Sequence, residues 1–77
     1  MKTIRLHIET QGRRGKTVTI LEGFTHHIEY LQELIHKIKT YCGTGGTLKG
    51  NIMEIQGDMR HKIKPILIKE GFEVKGI

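Results

Sequence analysis

Ile4, Leu6 and Ile8 alternate with Arg5, His7 and Glu9 near the start of the chain, a period of two that predicts a strand with one wet face. Gln11-Gly12-Arg13-Arg14-Gly15 breaks the pattern, and Lys16 to Glu22 resumes it, with Val18 and Ile20 expected inward and Thr17 and Thr19 outward. The two runs read as a hairpin with a flexible basic tip. From Thr25 the period changes: Ile28, Leu31, Leu34, Ile35, Ile38 and Cys42 recur at spacings of three and four, the stripe of an amphipathic helix. Thr25 is its expected N-cap, Glu33 and Lys37 its outer i, i+4 pair, and Gly43 stands where a left-handed C-terminal cap is wanted.

Thr47-Leu48-Lys49 and Ile52 to Gln56 flank Gly50-Asn51, a pair suited to a two-residue hairpin turn. Asp58 is placed to cap a second helix with Met59, Ile63, Ile66 and Leu67 on one face and Gly71 just past its end. Pro65 interrupts that reading; a proline inside a helix costs about 3 kcal/mol, so a kink or an irregular first turn is expected. Phe72 and Val74 supply a short last strand. The order β-β-α-β-β-α-β predicts an α+β fold, a two-layer sandwich with two helices on one face of a five-stranded sheet.

A chain of 77 residues of this kind buries only about 60% of its unfolded surface, so residues 1–77 are expected to form a single domain. Cys42 is the one cysteine; it can form no internal disulfide, which points to a reducing, cytoplasmic setting. The alternation over residues 1–10 leaves no continuous apolar run, so neither a secretory signal nor a membrane span is expected.

The formal net charge of +5 favours an anionic partner. Residues 1–24 hold five Lys or Arg against two Glu, residues 25–42 two against two, and residues 43–77 six against four, so the positive excess lies outside the first helix. Arg13, Arg14 and Lys16 put three cations within four residues of a glycine-flanked tip with no carboxylate among them, a pattern able to follow a phosphate backbone through Arg forks. The plainer reading is a solvated turn.

Gly43-Thr44-Gly45-Gly46-Thr47 has the glycines to cradle a phosphate on backbone N–H groups. It leaves a helix and enters a strand, however, and lacks the Gly-Lys-Ser/Thr of a P-loop, so it reads as a structural link or an RNA-facing backbone. Adjacent His26 and His27 would point about 100° apart on a helix. His7, His36 and His61 have no acid or thiol at ligand spacing. No metal, cofactor or small-molecule substrate is expected. Cys42 ends an apolar stripe without an evident base, and nothing pairs a nucleophile with a base, so no enzymatic activity is expected.

Four segments in combination, Arg14-Gly15-Lys16 leading to Thr17-Val18-Thr19 and Glu22-Gly23, Cys42-Gly43-Thr44-Gly45-Gly46-Thr47-Leu48-Lys49, Ile55-Gln56-Gly57-Asp58 with Arg60, and Lys69-Glu70-Gly71-Phe72, resemble eukaryotic translation initiation factor 1. The glycine segment is most similar to that of its bacterial YciH-type and archaeal relatives. The resemblance covers nearly the whole chain. It implies a two-layer domain that binds small-subunit rRNA near the P site and modulates start-codon selection, with other initiation factors as further partners; separately, a cytoplasmic monomer is expected. The resemblance carries the rRNA contact to Arg13, Arg14 and Lys16. Lys49 and Arg60 complete the expected RNA-binding set, and Gly43, Thr44, Gly45, Gly46, Gln56, Gly57 and Asp58 form the motif loop and corner.

Three rivals stand beside this reading. A general RNA-binding module acting away from the ribosome would need exposed aromatics for base stacking, and Phe24, Tyr30, Tyr41 and Phe72 fall mostly at apparent core positions. A small enzyme would need Cys42 or a histidine activated. A protein-interaction domain would use a free sheet edge.

Overall fold

The computed structural model describes residues 2–10 and 15–76. Its elements are β1 (Thr3–Glu9), β2 (Val18–Glu22), α1 (Ile28–Cys42), β3 (Gly46–Lys49), β4 (Ile52–Gln56), α2 (Arg60–Lys69) and β5 (Glu73–Lys75). This is the expected α+β order. The strands pair as β3-β4-β2-β1-β5, antiparallel except for β5, which runs parallel to β1 after the α2 crossover.

Leu48, Met53, Leu21 and Leu6 face one another in a row across four strands, and the next row on the same face holds Gly46, Ile55, Thr19 and Ile8. Alternation in a strand puts both rows on one side of the sheet. There Leu6, Leu21, Met53 and Ile55 join Leu31, Leu34 and Ile38 of α1 and Ile63 and Leu67 of α2 in the core. Each such fully buried Leu or Ile contributes about 1.5–3 kcal/mol relative to exposure. Phe24 meets Phe72 edge to face at 5.6 Å and closes the far end of this core.

The phase expected for β2 is inverted. Thr19, expected outward, is fully buried on the helix face, while Val18 and Ile20 are buried on the opposite face and lie outside the main core. Both faces of β2 are covered because it is the central strand, with Ile20 set between His7 and Glu54. Alternation alone gives a period but not which phase meets the helices.

Helix starts also differ from expectation. α1 begins three residues after Thr25, with His27 at the N-cap in extended backbone and no side-chain cap, after the fully buried Phe24. Ile28 is accordingly exposed. Lys37 reaches across to Glu70 at 3.0 Å in place of the expected partner Glu33. In α2 the N-cap is Met59, one residue beyond Asp58. The helix runs unbroken through Pro65; Pro65 and His61 are both exposed, so water can take up the carbonyl that the proline leaves without a donor. Tyr41, grouped with the core aromatics, is 62% exposed. Gly43 is the left-handed cap expected of it (φ 68°), and Gly50-Asn51 forms the two-residue turn.

Candidate nucleic-acid interface

The register gathers the sequence motifs at one end of the sheet. There β1 ends opposite the start of β2, β4 ends beside it, β3 begins, α1 finishes and α2 starts. Backbone bonds tie the pieces together. The N–H of Gln56 donates to the Gly45 carbonyl at 2.9 Å and the N–H of Gly57 to the Thr17 carbonyl at 2.7 Å. Thr19 adds a side-chain tie, donating its hydroxyl to the Gly57 carbonyl at 2.6 Å and accepting the Met59 N–H at 2.9 Å. The hairpin base, the glycine loop and the Gln56-Gly57-Asp58 corner are thus one hydrogen-bonded unit.

Close approach explains two of the loop glycines. A Cβ on Gly46 would stand 2.8 Å from the Glu54 carbonyl oxygen and 2.7 Å from Ile55 Cδ1. One on Gly45 would press on the Gln56 side-chain amide at 3.2 Å. Thr44 follows the α1 cap, its N–H directed to the Lys39 carbonyl at 3.3 Å.

Asp58 and Arg60 form a fork, with Nε on Oδ1 and Nη2 on Oδ2, each at 3.0 Å. The Arg60 guanidinium holds the Asp58 carboxyl below the usual carboxylate range, and Arg60 is stabilised as a cation in return. Its Nη1 also reaches the Gly76 carbonyl at 3.5 Å. Arg60 therefore presents a largely neutralised charge.

Of the remaining expected contacts, Lys16 is exposed just before β2, whereas Arg13 and Arg14 lie outside the described residues. Lys49 is not with the others. It sits at the opposite end of β3 beside the Gly50-Asn51 turn, paired with Glu54 at 3.4 Å, and the length of β4 separates it from Gln56 by about 13 Å. Cys42 is buried, and that burial pushes its thiol up against the opposing influence of Lys62, the reverse of an activated nucleophile. His26 stacks on Tyr30 at 4.8 Å and meets Phe72 at 5.3 Å. Among the described residues, no three of His, Cys, Asp and Glu gather as metal ligands, and no helix is long and apolar enough to cross a membrane.

A family model described as Translation initiation factor SUI1 matches residues 1–73. The chain belongs to the SUI1 family. It is similar to the Protein translation factor SUI1 homolog of Methanocaldococcus jannaschii, 45% identical over 69 residues covering 90% of this chain and 66% of that protein. It is similar also to the protein sll0546 of Synechocystis, 42% identical over 96% of this chain and 67% of that one, and to YciH of Salmonella typhimurium, 40% identical over 94% and 67% respectively. The chain spans about two thirds of the length of these relatives. The resemblance drawn from the motifs, to bacterial YciH-type and archaeal proteins, is the one these matches show.

Within this SUI1 chain, sequence reasoning missed Thr17 and Thr19 as the residues that lock hairpin to corner. Thr17 does so through its backbone carbonyl, which no side-chain pattern announces, and Thr19 through its hydroxyl. Thr19 was assigned to water because threonine at a strand position is ordinarily the polar half of the alternation.

Proposed function

We propose that this SUI1-family protein is a non-enzymatic translation initiation factor. In this reading it binds small-subunit rRNA near the P site, in the cytoplasm and as a single-domain monomer, and modulates start-codon selection alongside other initiation factors. Family membership supports the role in initiation. The observation that carries the choice of surface is the junction of the hairpin base with the loop and corner, through Thr17, Thr19, Gly45 and Gly57. The chain that carries Arg13, Arg14 and Lys16 enters this braced base at Thr17, and its three cations fall within four residues with no carboxylate among them. That suits a phosphate backbone better than a small molecule. Lys49 is remote from this end and contributes only as a separate contact. Arg60 contributes through the corner it helps to shape.

Co-sedimentation with small and large ribosomal subunits across a salt range tests this. Wild type should prefer the small subunit, and an Arg13→Ala/Arg14→Ala/Lys16→Ala variant should bind more weakly, its log-log salt slope reduced by about 2 to 3 for three lost phosphate contacts. An unchanged slope removes the hairpin from the interface. Equal binding to both subunits shifts the reading to a general RNA-binding module.

A further inference from the structure

We infer that the groove between α1 and α2 is a second RNA contact, a subsite for an unpaired base stacked on Tyr41 with flanking phosphates on Lys62 and Lys69. Tyr41 is 62% exposed and lines, with Lys37, Pro65, Ile66, Lys69 and Glu70, a concavity of about 530 Å³, within the range of small-ligand sites. A second depression on the other flank of the same residue runs to His36 and Thr40. An aromatic between two depressions, walled by proline and isoleucine, offers an apolar platform that needs no sequence-specific donor or acceptor.

Charge selects the occupant. α2 carries Arg60, Lys62, Lys64 and Lys69 and no carboxylate. Lys62 and Lys69 are seven residues apart and so return to one side of the helix about 10 Å apart along its axis. Lys62 acts on Cys42 at the end of α1 and Lys69 lines the groove, so that side faces α1. The charge of Lys69 also helps to hold the Glu70 carboxyl ionised. The one acid lining the concavity, Glu70, already accepts hydrogen bonds from Tyr30 at 2.9 Å and Lys37 at 3.0 Å. Glu33 lines the second depression beside Tyr41, with Lys37 as the opposite charge there. Cations bracketing an exposed aromatic are the arrangement by which proteins hold single strands, with stacking on the ring and phosphates on the flanks. Tyr41 near the end of α1 and Lys62 near the start of α2 stand at the end of the fold where the Gly57 N–H meets the Thr17 carbonyl.

The inference shares with the proposed function only its class of ligand, and it is tested separately. The probe is a short RNA of mixed sequence without internal pairing, free and annealed to its complement, titrated by fluorescence anisotropy over a range of salt. Tyr41→Ala should weaken binding of the unpaired RNA about tenfold and leave the duplex unaffected, while Tyr41→Phe stays near wild type. Lys62→Ala/Lys69→Ala should lower the salt slope by about 1.4. The hairpin triple variant should keep its dependence on Tyr41, which separates failure of one surface from failure of the other. Unchanged affinity in Tyr41→Ala, or equal loss on the duplex, overturns the subsite. So does a poly-glutamate peptide that binds in a Tyr41-dependent way while unpaired RNA does not, since the groove would then belong to a protein partner. Exposure of Tyr41 predicts an unchanged melting temperature in its variants, which verifies that the fold is intact.

Discussion

The Thr19 hydroxyl donates to the Gly57 carbonyl across 2.6 Å and takes the Met59 N–H in return at 2.9 Å, at a site with no solvent exposure. One side chain of the central strand thereby holds the Gly57-Asp58 corner and the backbone donor at the start of α2. Thr19→Val keeps the shape and removes both bonds, leaving a carbonyl and an N–H short of partners. A loss of about 2–3 kcal/mol is expected, read as a lower urea midpoint at unchanged m. Thr19→Ser keeps the hydroxyl and should lose no more than about 1 kcal/mol for the methyl. Equal losses would mean that the methyl, not the hydroxyl, holds the corner.

Gly45 and Gly46 are neighbours with different demands. A methyl on Gly46 meets the Glu54 carbonyl at 2.8 Å, backbone that cannot yield without disturbing the β3–β4 ladder. Gly46→Ala should cost about 1–3 kcal/mol. At Gly45 the obstacle is the tip of the Gln56 side chain at 3.2 Å, which can swing away, so Gly45→Ala should stay within about 1 kcal/mol of wild type. Thermal melts of the two variants side by side decide it, and a reversal of their order would count against this account of the loop.

Glu70 gives the fold an acid limit. The hydrogen bond from Lys37 first, then that from Tyr30, holds its carboxyl below its ordinary 4.5. Folded protein therefore binds the proton less readily than unfolded chain. The stabilisation is present above pH 4.5 and lost as pH falls through the lower folded value. Tyr30 works in the other direction. Burial first, then the Glu70 carboxylate, pushes its phenol up to about 12, so its contribution is complete below pH 10 and fades as pH rises towards 12. Urea midpoints against pH should show both limbs, and Glu70→Gln should flatten the acidic one. An acid limb of undiminished size in that variant would place the titrating group elsewhere.

Asp58 sets how much charge Arg60 shows to a partner. Asp58→Asn removes the fork's negative half and should strengthen small-subunit binding at low salt, steepening the log-log slope by up to about 0.9. Arg60→Ala should weaken binding less than Lys16→Ala does, since Lys16 is exposed with no such fork. If Asp58→Asn weakens binding instead, the carboxylate itself is the contact.

Much of the fold was legible along the chain. The stripe Leu31, Leu34, Ile35, Ile38 and Cys42, the turn at Gly50-Asn51 and the Gly43 cap were read correctly because each depends on spacing within a few residues. The caps at Thr25 and Asp58 were misplaced because the contact of Phe24 with Phe72 and the bond from the Met59 N–H to the Thr19 hydroxyl, each joining residues distant in sequence, fall where the helices start. Of the candidate site, the cationic tip and the motif residues could be named from the chain. That Lys49 stands at the other end of the sheet, and that Arg60 is neutralised by Asp58, could not.

Local periodicity and turn chemistry alone determined seven elements and their order, because dihedral preference and apolar spacing act between near neighbours, and composition determined the positive charge. The strand order β3-β4-β2-β1-β5 was decided only when the strands packed. So were the burial of Thr19, the exposure of Tyr41 and the pairing of Lys37 with Glu70. Each depends on which surfaces meet across the sheet, and period-two alternation is equally satisfied by either face until the helices cover one of them.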